Sequence, residues 1–469
     1  NAWYEAGIAD QQNGTTTQAT LFPNYEVPES IKTWPAHGDV SKGQDYFLAP
    51  FYDFNNDGHY NWEDGDFPWY DIKQDKQCSV DRDVSLYGDK NFWWVMNYKG
   101  NIHTETGADP IGMEIRAQAF AFASNDEVNN MTFYNYVLIN RGTQTLYNTY
   151  FGFFTDGALG DPYDDYVGCD VMRGLGYYYN GDNFDGDNAG YKGYGYSPPA
   201  VGVDFFEGPY QDNDGIDNAY GIGVDEALNG IGYGDGIIDN ERFGMRRFLY
   251  YSNTTNGANV NQTDPIAASD YYNYLRGYWK DGTKFVYRGS GHISDPEADP
   301  NTPCDFMFPG TSDPIGWGTG GVPKPNWTEQ TANNTPNDRR FVESAGPFVL
   351  KPGAVNNITV GVVWARSNGG DPFTSVETLR RADDKAQALF ENCFKVMDAP
   401  HAPSLEIQEL NNELVLFLTN PVNSNNHGEA YQEVDPFIVS SNPNADKTFR
   451  FQGYQIFQLK NNQVALSDL

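Results

Sequence analysis

Apolar and polar residues alternate with the two-residue period of a sheet over residues 112–120, and aromatic and β-branched residues fill 132–140 and 146–154. The turn Arg141-Gly142-Thr143 between the last two predicts that they pair as a hairpin buried on both faces. Residues 357–365, Asn-Ile-Thr-Val-Gly-Val-Val-Trp-Ala, read as another apolar strand. One segment carries a helical period. Val376, Leu379, Ala382, Ala386, Leu389, Phe390, Cys393 and Phe394 recur at helical spacing behind Thr374-Ser375-Val376-Glu377, the spacing of a capping box. These patterns predict a mainly β chain, a large β-sandwich with long Asp/Gly-rich loops and one helix packed on it. The helix is expected to close that domain near Met397.

Residues 398–403, Asp-Ala-Pro-His-Ala-Pro, read as a linker. Beyond it, residues 405–407, 413–418 and 451–459 have strand character, and their pattern resembles the opening strands of a fibronectin type III module. Such a module needs about seven strands, so residues 404–469 are expected to form an incomplete domain, completed by a longer chain or by a neighbour. The expected organisation is an N-terminal segment over 1–49, a calcium-binding sandwich over 50–397, the linker, and the incomplete module. Residues 1–23 are poor in core signals and are the candidate donor of an assembly strand.

The chemistry begins with residues 53–66, Asp-Phe-Asn-Asn-Asp-Gly-His-Tyr-Asn-Trp-Glu-Asp-Gly-Asp. Calcium takes six to eight oxygens, and a loop offers them from positions 1, 3, 5, 7 through a carbonyl, 9 and 12, with Gly at 6 for the sharp turn. Those positions are Asp53, Asn55, Asp57, the His59 carbonyl, Asn61 and Asp64. Position 12 is Asp where Glu is usual, so Asp64, Glu63 or Asp66 supplies the last ligand.

From 155 to 240 the chain turns to Gly, Asp, Asn and Tyr, too long a stretch for an idle loop. Its candidate calcium ligands fall in four clusters. Asp156, Asp161, Asp164 and Asp165, with Asp170, make the first; Asp182, Asp185 and Asp187 the second; Asp212, Asp214 and Asp217 the third; Asp235, Asp239 and Glu241 the fourth. Carboxylates at this density repel one another unless ions or solvent separate them, which is the physical argument for bound Ca²⁺. Tyr163, Tyr166, Tyr177, Tyr178, Tyr179, Tyr191, Tyr194, Tyr196 and Tyr210 interleave these acids. They read as core filling in a region short of Leu and Ile, or as a stacking surface for sugar rings, with the first favoured.

Charge narrows the partners. In 469 residues, 30 Lys and Arg stand against 64 Asp and Glu, a net charge of -34. That balance repels nucleic acid and anionic membrane surfaces and favours cations or neutral partners such as glycans. Aromatic residues at 15% supply enough apolar area for a folded chain, and no run of about 18 apolar residues suggests a membrane span. The first residues lack a charged and apolar leader, which reads as a processed start. Cys78, Cys169, Cys304 and Cys393 are too dispersed for a zinc knuckle or redox pair; they form two disulfides in any of three pairings, or remain buried thiols. No His-Glu-x-x-His, Gly-x-Ser-x-Gly elbow or phosphate-binding glycine loop is present. Among 64 acids no glycosidase pair is singled out, and His103 reads as a loop hydrogen-bonder.

Several strings carry a wider resemblance: residues 53–67; 103–112, His-Thr-Glu-Thr-Gly-Ala-Asp-Pro-Ile-Gly; 164–170, Asp-Asp-Tyr-Val-Gly-Cys-Asp; 197–206, Ser-Pro-Pro-Ala-Val-Gly-Val-Asp-Phe-Phe; and 382–390, Ala-Asp-Asp-Lys-Ala-Gln-Ala-Leu-Phe. From about residue 50 onward the chain resembles large, mostly uncharacterised surface proteins exported by the type IX secretion route of Bacteroidota. The resemblance implies a secreted, extracellular or cell-surface location, a longer multidomain chain and a C-terminal sorting segment; it carries no assigned activity. The expectation is a calcium-stabilised, non-enzymatic structural protein, a subunit of an extracellular filament, biofilm matrix or adhesin that associates with itself by strand addition. The alternative is a surface protein that binds or degrades glycans.

Overall fold

The computed structural model describes residues 2–69, 87–98, 103–124, 126–253, 259–394, 400–422, 424–434 and 446–456. The chain divides after Phe390 into two compact units, residues 1–390 and 391–469. In the first, the sandwich strands in chain order are β1 (Lys90–Asn97), β2 (Met113–Ala121), β3 (Met131–Asn140), β4 (Leu146–Thr155), β5 (Asp165–Asp170), β6 (Leu175–Asn180), β7 (Ala200–Glu207), β8 (Arg247–Ser252), β9 (Arg339–Leu350) and β10 (Val355–Ala365). They form a seven-stranded sheet in the order β1-β2-β3-β10-β7-β6-β5 and a three-stranded sheet in the order β8-β9-β4. All of their pairings are antiparallel.

The facing sides of the two sheets make the core. Ring centroids of Phe151 lie 5.9 Å from Tyr136 and 6.0 Å from Phe205, and Tyr178 lies 5.0 Å from Phe341. The other side of the large sheet is covered by the helix Pro372–Glu391, with Tyr179 against Phe373 at 5.6 Å and Phe206 against Phe390 at 5.9 Å. Strands β5, β6 and most of β7 are therefore buried on both faces, which is why they read as unbroken runs without alternation. Gly361 makes room for one of these contacts, since a Cβ there would sit 2.2 Å from the Phe206 ring.

Strands β3 and β4 do not pair as the expected hairpin. They belong to different sheets and stack face to face, so the turn at 141–145 is a corner of the sandwich. A second corner connects β9 to β10, again between sheets. Buried Asn140 joins the two corners. Its Nδ2 donates to Gln144 O at 2.9 Å and Leu350 O at 2.8 Å, its backbone N–H reaches Ala354 O, and its carbonyl accepts from Gly353 N. Edge pairing of β3 with β4 would place the aromatic side chains of one strand beside the other; stacking removes both sets from water.

The predicted helix is present, but its cap is one turn earlier than the Thr374-x-x-Glu377 spacing indicates. Asp371 Oδ1 accepts from Thr374 N at 3.1 Å and from Thr374 Oγ1, with Pro372 opening the helix. Proline at the first helical position has no N–H to leave unsatisfied. The helix ends at Glu391, with Cys393 and Phe394 at positive φ. Cys393 is disulfide-bonded, whereas Cys169 and Cys304 are buried free thiols. Cys78 and Met397 lie outside the described residues.

At the N-terminus the expected donor strand is a helix, α1 (Ala2–Asn13), followed by a short helix at Thr17–Leu21. Ala, Glu and Gln in that segment favour helix over extended backbone. In the second unit, β11 (Ser404–Leu410) and β12 (Glu413–Thr419) pair antiparallel, with Leu405 opposite Leu418 and Ile407 opposite Leu416. The third strand expected at 451–459 falls earlier: Thr448–Arg450 pairs with Gln432–Val434, residues 451–456 are outside regular structure, and 457–459 lie outside the described residues. Among the described residues, no helix is long and apolar enough to cross a membrane.

One buried acid makes the core pH-sensitive. Glu343 on β9 is fully buried beside Gly176, where a Cβ would lie 2.5 Å from its Oε1, and neither carboxyl oxygen makes a well-formed hydrogen bond. Burial pushes it well above the usual carboxylate range, opposed by the nearby Gly176 N–H and reinforced by Asp383. The unfolded chain releases this proton above about pH 4 while the folded chain keeps it, so stability falls as pH rises from there toward the raised value. Glu343→Gln is expected to raise the melting temperature at neutral pH and to flatten that decline. Thermal melts across the weakly acidic to neutral range check it; an unchanged slope would place the pH dependence elsewhere.

Candidate metal centre

The first and second acidic clusters meet at one end of the β5–β6 hairpin. Asp165 opens β5, Asn180 closes β6, and the two are register partners. The single-turn helix Pro162–Asp164 precedes them, with Asp161 as its cap accepting from Tyr163 N at 3.1 Å. Asp185, on the short strand Phe184–Asp185, lies over Gly160, where a Cβ would fall 1.8 Å from its Oδ2. Only glycine permits that approach, and its φ of +75° fits the same residue.

Some oxygens in this group are committed to the backbone. Asp185 accepts from Asp161 N at 3.0 Å and Tyr194 N at 2.8 Å, Asp165 Oδ2 accepts from Leu159 N at 3.1 Å, and Asp161 Oδ2 accepts from Asn188 Nδ2 at 2.9 Å. Three others are not committed. Asp164 Oδ1, Asp165 Oδ1 and Asn180 Oδ1 are shielded from solvent and have no well-formed hydrogen bond among the described residues, although the Asn180 side chain lies near enough to Asp164 to oppose the rise of its carboxyl. Asp165 and Asn180 are fully buried. Orphaned buried acceptors are rare because each forfeits its hydration without replacement.

The electrostatics agree. Burial, then Asp185, Asp161 and Asp182, pushes the Asp164 carboxyl up to about 7. Burial raises Asp165 well above the usual range despite the Leu159 N–H, and Asp164, Asp185 and Asp161 add to it. The side chains are spread: among the described residues no three carboxylate, imidazole or thiol groups converge tightly enough to hold an ion as they stand. The donor set is all oxygen and mixes carboxylates with an amide, the chemistry of a Ca²⁺ site. Asp164, Asp165 and Asn180 would hold the ion, which would supply the positive charge and the missing partners.

The other predicted ligands are placed differently. Asp156 forms an ion pair with Arg340 at 3.0 Å, and Asp187 pairs with Lys192 at 2.5 Å. Asp182 Oδ1 accepts from Phe184 N. Asp170, at the far end of β5, sits between Arg173 at 3.0 Å and Arg380 at 2.9 Å. The third and fourth clusters brace each other: Asp239 Oδ1 accepts from Asp214 N and Gly215 N, while Asp217 accepts from Gly234 N and Gly236 N. Within them Asp214 and Asp235 each accept the N–H two residues on, Glu241 accepts from Asn218 N at 2.6 Å, and Asp212 accepts from Val349 N.

In the loop at 53–66, Asp53 accepts from Asp57 N and Gly58 N, Asp57 from His59 N, and Asn61 Oδ1 from Glu63 N. Gly58 has φ +74°, as its position in the pattern requires. Asp64 Oδ2 accepts from Asn61 Nδ2 at 2.8 Å. Asp66 is fully buried and its two oxygens accept from Phe54 N and Asn61 N, so it closes the loop from within. Asn55, Asp57, His59 and Asp64 remain exposed.

Tyr166, Tyr177, Tyr178 and Tyr179 are buried, the core-filling reading, while Tyr163, Tyr191, Tyr194, Tyr196 and Tyr210 are exposed. The sequence reading did not include Asn180. Its signal was the apolar run of β6 ending in Asn, yet pairing with Asp165 depends on register. In comparisons with known proteins, no family model and no curated protein matches the sequence.

Without added metal, Asp164 follows the same sign as Glu343. Its folded value near 7 exceeds the unfolded one, so stability is lost as pH rises from about 4 through 7. In chelator, Asp164→Asn is expected to raise the melting temperature at pH 7 and reduce that slope. Unchanged melting at both ends of the range would show that the repulsion is relieved in another way.

Proposed function

We propose that this chain is a calcium-stabilised extracellular structural protein, a subunit of a filament, matrix or adhesin. The observation that carries the metal part is the trio of buried, unpartnered oxygens on Asp164, Asp165 and Asn180. A divalent cation satisfies all three at once and offsets the neighbouring carboxylates. Extracellular modules bind calcium in the submillimolar to millimolar range, a level that fits a site of this modest charge and a chain carrying -34.

The assembly part is supported by the second unit. One face of the β11–β12 hairpin carries Leu405, Ile407, Leu414, Leu416 and Leu418, of which the first four are exposed. A two-stranded hairpin has little stability of its own, and exposed apolar area of this kind favours association. Strand addition to such a hairpin satisfies both the apolar face and the open edges.

Melting in chelator against millimolar Ca²⁺ tests the metal. At a hundredfold excess over the dissociation constant each site adds about 2.7 kcal/mol. Asp165→Asn, which removes a ligand, is expected to lose most of the calcium-dependent increment. Asp164→Asn should reverse sign between conditions, stabilising in chelator and destabilising in calcium. A melting temperature indifferent to calcium refutes the stabilising role. Sedimentation of the wild type beside a Leu405→Lys/Leu416→Lys variant reads the second part; equal self-association would remove this face from assembly.

A further inference from the structure

The side of the three-stranded sheet turned away from the large sheet carries a cleft that uses none of the metal centre's three orphaned oxygens. Along β9, Phe341, Glu343 and Ala345 are buried in the core, so Arg340 and Val342 project to the other side, where Val342 lies opposite Phe154 of β4 and Arg340 opposite Tyr251 of β8. The helix α2 (Ala268–Leu275) packs across these strands. Gly152 sets its approach, because a Cβ there would lie 2.2 Å from Leu275 Cδ2. Helix and strands enclose a cavity of about 640 Å³ lined by Phe154, Tyr271, Glu105, Asp156, Asp264 and Arg340 among others. That volume lies in the ordinary range of small-ligand sites.

Its polar groups are arranged around Arg340. Nη2 pairs with Asp156 at 3.0 Å and Nε lies 3.8 Å from Asp264. Nη1 is shielded from solvent and has no acceptor among the described residues. Asp156 and Asp264 keep about half of their side-chain surface exposed, at 44% and 50%, so each has acceptor capacity left. Tyr271 donates to Glu105 at 3.3 Å. Phe154, 54% exposed, and Tyr271, 37% exposed, offer aromatic surface beside these groups.

We propose that this cleft binds a neutral oligosaccharide, stacking the apolar face of a sugar ring on Phe154 while its hydroxyls donate to the half-exposed Asp156 and Asp264 and accept from the exposed edge of the Arg340 guanidinium. The ligand must accept from a guanidinium and donate to carboxylates within the same cavity. A hydroxyl does both. A lysine or arginine side chain has only donors, so it offers Arg340 no acceptor and faces its like charge. An anionic ligand would meet Glu105, Asp156 and Asp264. Aromatic surface next to hydrogen-bonding groups of both senses completes the match to a sugar, whose ring alternates C–H faces with hydroxyl edges.

Titration calorimetry of the full chain with cellopentaose, xylopentaose, maltopentaose and chitopentaose, each to millimolar concentration, is the test. At least one should bind. Phe154→Ala, at an exposed position, should weaken that affinity about tenfold with unchanged melting. Arg340→Lys keeps a charge for Asp156 and Asp264 but removes the forked donor, and should weaken it similarly. No heat from any neutral sugar overturns the proposal, as does binding that Phe154→Ala leaves intact. Binding confined to a lysine-rich peptide or to oligogalacturonate also overturns it and assigns the cleft to a charged partner.

Discussion

A carboxylate removed from water has to be neutralised or hydrogen-bonded, and in this chain that requirement shapes the interior. With 64 acids against 30 basic side chains, arginine can meet only part of it. Where it does, the acid is held in an ion pair. Buried Glu329 takes Arg339 at 2.9 Å, Val167 N and Asn334 Nδ2, Glu207 is paired with Arg242, and Asp170 lies between two guanidinium groups. Elsewhere a proton serves. Glu343 is pushed toward its neutral form by burial, and so is Asp204 on β7, with Asp383 of the covering helix adding to the effect. At the end of the β5–β6 hairpin no guanidinium among the described residues is bonded to Asp164 or Asp165, and Asp165 Oδ1 has no partner there. The divalent cation proposed above would meet charge and coordination together.

The strands were legible in the sequence because alternation and aromatic content report burial directly. Residues 112–120, 132–140, 146–154 and 357–365 each fall on a strand of the sandwich. Which strands pair was not legible. The contiguity of 132–140 and 146–154 pointed to a hairpin, and only the corner held by Asn140, whose partner Leu350 lies 210 residues away, sends them to separate sheets. A local rule also misplaced the helix cap: Thr374-x-x-Glu377 fits a capping box, yet Asp371 before Pro372 competes better for the start. Sequence spacing describes neighbours along the chain, and these choices were made by groups far from it or one turn outside the window.

The same limit applies to the site. Acid density marked residues 155–240 as special, but it could not separate acids that meet from acids that are already paired. Asp161, Asp164 and Asp185 lie near enough to Asp165 to act on its charge, whereas Asp156, Asp170 and Asp187 are each held by a cation of the chain itself. Asn180 was missed for the opposite reason. An amide at the end of a buried strand carries no charge signal, and only its register opposite Asp165 brings it to the centre.

The short segment between β4 and β5 gives these separate features a common frame. At one end Asp156 bonds Arg340 in the wall of the cleft. In the middle, Tyr178 Oη accepts from Gly157 N at 3.1 Å and reaches the carbonyls of Thr155 and Arg339 at 3.0 Å each. At the other end Leu159 N donates to Asp165 and Asp161 N donates to Asp185. Four residues therefore separate Asp156 in the wall of the cleft from Asp161 at the rim of the acidic cluster, and a fully buried tyrosine of β6 fixes the stretch between them. A segment pinned at three points cannot shift at one end without breaking hydrogen bonds at the next, each worth about 0.5–1.5 kcal/mol.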